Sequence, residues 1–172
     1  METRGVILVE GVSDQRALET LALRRGRDLR AEGVSIEPMG GYGNLPRLLE
    51  RYRGLRLAGL YDVGVERYFL RALRCADRAE LERAGFYACA RDLEDELTRA
   101  VGPVGMERVL AEQGELRAFR THQKQPAHRD RPLEEQLYGF MWNRKQRYAV
   151  LLVEALDLDR VPRPLDCVLA SV

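Results

Sequence analysis

Glu10 and Asp62 each stand where an apolar run stops. Val6-Ile7-Leu8-Val9 runs into Glu10-Gly11, and Leu55-Arg56-Leu57-Ala58-Gly59-Leu60-Tyr61 runs into Asp62. A short apolar run bounded by turn signals is a strand buried on both faces, as in a parallel sheet with helices above and below. An acid that ends such a strand is less expected than one on a solvated helix, so these two carboxylates read as functional. Asp14 lies one helical turn beyond Glu10 and can point back toward the same crevice. Glu66 lies one turn beyond Asp62, and Asp92, Glu94, Asp95 and Glu96 crowd together after a further apolar run at 85–90. Carboxylates converging from strand ends suit a hard cation such as magnesium or manganese. Taken singly, several have plainer roles: Asp14 and the acids at 92–95 are what any first helical turn prefers, and Glu66 is an ordinary helix acid.

These acids need elements that aim them at one place, and the pattern supplies them. A strand ending at Glu10 leads to a helix with Ser13 as its expected N-cap and Ala17, Leu18, Leu21 and Ala22 on its apolar face. Residues 33–38 alternate as a strand, and Gly40-Gly41-Tyr42-Gly43-Asn44-Leu45 is a loop into a second helix. That loop lacks the lysine and hydroxyl of a P-loop and reads as a tight turn. A third strand ends in Asp62 with a helix over about 65–73, and a fourth, at 85–90, precedes a helix with an acidic first turn. Strands alternating with helices predict an α/β fold, a parallel sheet of about four strands between helices with every strand carboxyl end on one edge. From about residue 102 the pattern becomes helical, with helices expected at 104–113, 133–143 and 144–156 and a polar loop at 122–132. The expected organisation is therefore an α/β core over 1–101 and a C-terminal helical extension over 102–172 that packs on it.

Composition narrows the partners. Among 172 residues, 28 basic side chains oppose 27 acidic ones, so any affinity for a polyanion must come from local distribution of charge. The stretch 117–147 provides it: eight basic residues, Arg117, Arg120, Lys124, Arg129, Arg131, Arg144, Lys145 and Arg147, against Asp130, Glu134 and Glu135. Cys75, Cys89 and Cys167 form no Cys-x-x-Cys pair and read as reduced cytoplasmic thiols. The apolar run after Met1-Glu2-Thr3-Arg4 is too short for a signal peptide and no stretch reaches membrane-spanning length, so a soluble cytoplasmic protein without a membrane partner is expected. His122 and His128 have no metal-ligand spacing and read as surface or phosphate-contacting residues. Tyr42, Tyr138 and Trp142 could stack on bases, with core or interface packing the better default.

A strand running into Glu10-Gly11 with Asp14 four residues after the Glu, followed by a strand ending in Asp62, resembles the Toprim domain of topoisomerases, primases and related nucleases. Within that group the sequence is most similar to the Toprim part of the overcoming-lysogenization-defect (OLD) nucleases. The loop at 40–45 looks like the one after their second strand, Asp92-Leu93-Glu94 like their later acidic motif, and Asn143-Arg144-Lys145 like their C-terminal lysine segment. The resemblance covers most of the chain and implies a Toprim-like, Rossmann-like sheet. It departs from the family in one ligand: Toprim domains usually carry Asp-x-Asp after the third strand, and Asp62-Val63-Gly64 has glycine at the second position. The OLD enzymes also have an ATPase domain ahead of the Toprim part. No Walker motif is found here, which implies a stand-alone Toprim domain or a separate ATPase partner chain.

The resemblance implies a divalent-metal-dependent nuclease hydrolysing DNA phosphodiester bonds, with RNA left open as a substrate. Glu10, Asp14 and Asp62 would hold a first Mg2+ or Mn2+, Glu66 with Glu94 a second, and Lys145 would contact the scissile phosphate. Lys124, Arg129, Arg131, Arg144, Lys145 and Arg147 would hold the nucleic-acid backbone. Two rivals stand beside it: a nucleic-acid-binding or partner-subunit module that does not cut, and a nucleotidyl transferase of primase type, for which the sequence offers no triphosphate-binding motif. Oligomeric state is open.

Overall fold

A computed structural model describes residues 2–172. Four strands, β1 (Gly5–Val9), β2 (Val34–Pro38), β3 (Arg56–Asp62) and β4 (Phe86–Cys89), form one parallel sheet in the order β2-β1-β3-β4. The chain leaves β1 through α1 (Val12–Arg24) toward β2. It then crosses back through α2 (Leu45–Arg51) to β3 and continues through α3 (Glu66–Leu73) and α4 (Arg78–Arg83) to β4. The connections from β1 and β3 thus run in opposite directions. The gap between their carboxyl ends is the switch point at which open α/β sheets bind ligands.

The period-two alternation of the strands divides the core. Ile7 and Val9 face one side with Ala58 and Leu60, packed under Leu18 and Leu21 of α1. Val6, Leu8 and Tyr61 face the other, under Leu45 and Leu48 of α2, Phe69 of α3 and Leu81 of α4. Gly59 is required by this packing, since a Cβ there would meet the Phe86 ring at 2.7 Å and the Leu8 carbonyl at 2.9 Å.

The helices after β4 join the first of these layers. They are α5 (Leu93–Glu112), α6 (Leu116–Gln123), α7 (Leu133–Met141), α8 (Lys145–Ala155) and α9 (Arg163–Ala170). Leu97, Met106, Phe119, Leu137, Tyr148, Leu152 and Leu165 share one continuous core with Leu18 and Leu21. The expected change of pattern near residue 102 is a kink inside α5, where Gly102 takes a φ of 71° ahead of Pro103. Residues 102–172 thus complete the helical layer over the sheet.

Local expectations differ from the structure in three places. Gly11, and not Ser13, caps α1: the helix begins at Val12, and the Gly11 N–H donates to Asp14 Oδ2 at 2.9 Å. Helices α4 and α6 are too short for their apolar spacing to stand out from a polar background. His122 and His128 are half-buried and not fully exposed; their rings stack 3.9 Å apart, and His122 packs against Phe119 and Phe140. Among the described residues no helix is long and apolar enough to cross a membrane.

Leu152 is fully buried in the core that α8 shares with α1. Truncating it should cost about 2–5 kcal/mol. Leu152→Ala is therefore expected to lower the melting temperature by roughly 5–15 °C in a thermal melt followed by circular dichroism.

Candidate active site

Glu10 follows directly on β1 and remains exposed, and Asp62 closes β3 in the neighbouring position. Asp14 is turned back by the bond from the Gly11 N–H, so its carboxylate stays at the mouth of the crevice. Residues 90–92 carry the chain from β4 into α5, whose N-cap is Asp92; Asp92 Oδ1 accepts from the Asp95 N–H at 2.9 Å. One turn on, Glu94 is 4% exposed and its Oε1 has no hydrogen-bond partner.

Lys145, the first residue of α8, reaches this edge from the other end of the chain. Its Nζ donates to Asp92 Oδ2 at 2.7 Å and to Glu94 Oε2 at 3.4 Å. Tyr138 of α7 donates its hydroxyl to the same Asp92 oxygen, and the Arg91 guanidinium lies 3.6 Å from the centre of the Tyr138 ring. The side chain of Asn143, which opens the lysine motif, lies outside the described residues.

The electrostatics separate the acids into two groups. Asp14 is pushed up to about 7, first by burial and then by the charges of Glu94 and Glu10. Asp62 is also raised to about 7, by burial, by Glu10, Asp92 and Asp14, and by a hydrogen bond with Glu10 that favours its protonated form. Burial acts on Asp92 in the same direction. Hydrogen bonds from Lys145, Tyr138 and the Asp95 N–H outweigh it and hold Asp92 below the ordinary carboxylate range. Burial would lower Lys145, but its bond to Asp92 and the charge of Glu94 push it up, so it stays an ammonium.

Glu10, Asp14, Asp62 and Glu94 are the donors that could hold a divalent cation. A buried carboxylate oxygen without a partner and two carboxyls raised by burial and by neighbouring acids are what a site completed by positive charge presents. Among the described residues, no three His, Cys, Asp or Glu side chains are already drawn together as a ligand set. Lys145 lies between Asp92 and Glu94.

Glu66 does not join them. Its Oε2 accepts from the Tyr61 hydroxyl at 3.1 Å and from Arg78 Nε at 2.6 Å. Tyr61 belongs to the core on the sheet's opposite side, so Glu66 is drawn away from α5 and Lys145. Spacing along α3 could not reveal this, because which face Glu66 takes depends on Arg78, twelve residues away.

The basic residues divide as well. Arg144, Lys145 and Arg147 line one groove of about 530 Å³ with Trp142 and Gln146. Glu115 holds Arg144 at 3.7 Å and Arg147 at 2.8 Å. Lys124, Arg129 and Arg131 are exposed on the turn between α6 and α7, with Arg129 3.3 Å from Asp130. Sequence reasoning missed the pairing of Asp92 with Lys145 and the part of Tyr138. An Asp at a helix start carries only a capping signal, and the partners lie 53 and 46 residues away.

The raised carboxyls predict a pH dependence. A carboxyl whose folded-state pKa lies above its unfolded value favours the fold when protonated. That stabilisation is present at about pH 4 and is lost as pH rises to about 7. In chelator, Asp14→Asn keeps an acceptor for the Gly11 N–H and removes the charge. It should raise the melting temperature at pH 8 by roughly 3–6 °C, corresponding to about 1–2 kcal/mol, and leave it nearly unchanged at pH 4. Thermal melts at the two pH values check this.

Residues 3–60 match the family model described as overcoming lysogenization defect protein-like, TOPRIM domain. A search of curated proteins gave no match. Among solved structures, the C-terminal region of the Burkholderia pseudomallei OLD protein superposes with a TM-score of 0.77 at 18% identity, covering 99% of this chain and 97% of that one. The C-terminal region of the Xanthomonas campestris pv. campestris OLD protein superposes with a TM-score of 0.74 at 22% identity, covering 99% and 92%. The chain thus carries an OLD-like TOPRIM sequence over residues 3–60 and, along its length, the fold of the OLD C-terminal region.

Proposed function

We propose that this chain is a divalent-metal-dependent nuclease that hydrolyses DNA phosphodiester bonds at the β1/β3 edge. Toprim domains of the OLD type are associated in general with metal-dependent cleavage of nucleic acid. The observation that carries the reading is the meeting of Glu10, Asp14, Asp62 and buried Glu94 with the Lys145 ammonium at the sheet's switch point.

Glu10, Asp14 and Asp62 would hold magnesium or manganese, with Glu94 as a further donor in place of Glu66. Bound there, the ion would neutralise phosphoryl oxygens and activate water. Lys145 is kept protonated and is positioned by Asp92 and Tyr138, which suits it to stabilise the negative charge that develops on phosphorus oxygens. Asp92 and Tyr138 act through Lys145 and are positioning residues.

A second reading has its own observation. Gly64 stands where Toprim domains usually carry a second acid, and Glu66 is tied to Arg78 and Tyr61, so the site is poorer in ligands than the family pattern. A domain that binds DNA without cutting it would follow.

Cleavage of supercoiled and linear DNA with magnesium, manganese or chelator separates the two. The nuclease reading expects metal-dependent nicking that Glu10→Ala abolishes and Lys145→Ala lowers by roughly 10²–10³-fold. Retardation of DNA on a gel with no product under either metal would leave the binding module. Gly64 is exposed, and a Cβ there meets nothing within 4 Å, so Gly64→Asp can be built without strain. It is expected to lower the metal concentration needed for half-maximal cleavage severalfold, measured by titrating manganese.

A further inference from the structure

Trp142 is the one tryptophan of the chain and is 55% exposed, on a 3-10 turn between α7 and α8. Burying a large aromatic is strongly favourable, so an indole left open beside a polar site invites a ligand with an aromatic face. Its surroundings fix where it sits. Lys145 Nζ lies 4.5 Å from the indole centre, and the Tyr138 ring packs against it at 5.6 Å with a tilt of 54°. The same Lys145 reaches Asp92 and Glu94, so the indole borders the candidate active site directly.

We propose that Trp142 is a stacking platform for an unpaired base of single-stranded DNA whose backbone passes Lys145. This rests on the nuclease reading and assigns its substrate class. In a duplex each base face is covered by its neighbours, whereas an unpaired base can leave the stack and cover an indole. The other residues lining the groove are Arg144, Lys145, Gln146 and Arg147, none of them apolar. A protein anchor would instead be ringed by side chains suited to excluding water. Glu115 offsets one of the two exposed guanidiniums and Lys145 is paired with Asp92 and Glu94, which leaves one guanidinium of the groove to meet a phosphate. An aromatic face with cations beside it is the usual pairing in single-strand grooves.

Because the chain has one tryptophan, its fluorescence reports this contact without labelling the protein. The Glu10→Ala protein in magnesium is titrated with an oligothymidylate and with a blunt duplex of the same length, while anisotropy of a dye on the DNA measures binding separately. The single strand should quench the emission in step with binding, and the duplex should not. Trp142→Ala should weaken single-strand binding roughly tenfold with duplex affinity little changed, and Trp142→Phe should keep most of it. Circular dichroism melts of both variants against the parent show that the fold is retained. Saturable single-strand binding with unchanged emission and equal affinity in Trp142→Ala would overturn the platform and leave the nuclease reading intact. Binding of neither DNA, with no cleavage by the wild-type protein, would overturn both.

Discussion

Parallel strands that end together on one edge bring Glu10, Asp14, Asp62, Asp92 and Glu94 into a space where burial and neighbouring charge raise the cost of ionising Asp14 and Asp62. The fold tolerates this through a small number of contacts. The Gly11 N–H holds Asp14, the Asp95 N–H holds Asp92, and Lys145 bridges Asp92 and Glu94. Lys145 is the first residue of α8, so its position depends on how α8 packs over α1. The C-terminal helices are thus part of the candidate site as well as cover for the sheet. A hydrophobic contact made by Leu152 and an ion pair made by Lys145 are two consequences of one docking event.

Asp14, Asp62 and Asp92 share their burial but not its consequence. Asp92 gains hydrogen bonds to its ionised form and stays charged, while Asp14 and Asp62 are raised by burial and, beyond it, by neighbours of their own sign. The first pattern fixes a lysine. The second leaves negative charge that a cation would relieve. One crevice can therefore position an ammonium and attract a divalent ion, because the two tasks fall to different carboxylates.

Much of the fold could be read from the sequence because buried parallel strands write themselves as continuous apolar runs. β1, β3 and β4 lie within a residue or two of where those runs predicted them, and β2 within a residue of where alternation did; Glu10 and Asp62 stand at the ends of β1 and β3. Side-chain direction was harder to read. Asp14 and Glu66 have the same spacing from their strand ends, yet one turns into the crevice through a local bond from Gly11 and the other is pulled away by Arg78. Short elements were also hidden: α6 has eight residues and buries Phe119, too little periodic signal to separate it from the basic loop that follows. The interruption at Gly102 did show in the sequence, but its meaning, a kink within a layer, depended on packing that no local pattern encodes.

The glycines of the edge differ from those of the core. Gly59 has no room for a side chain, since the Phe86 ring and the Leu8 carbonyl occupy the place of a Cβ. At Gly11 and Gly64 a Cβ would meet nothing within 4 Å, and Gly11 takes an extended φ of −143° that any residue can adopt. Neither the packing nor the backbone at these two positions demands glycine. What the missing side chains do is leave open space beside Glu10 and Asp62 at the switch point of the sheet. A bulky ligand reaching the edge beside Glu10 would need the space that Gly11 leaves, while the room beside Asp62 at Gly64 is enough for a further carboxylate.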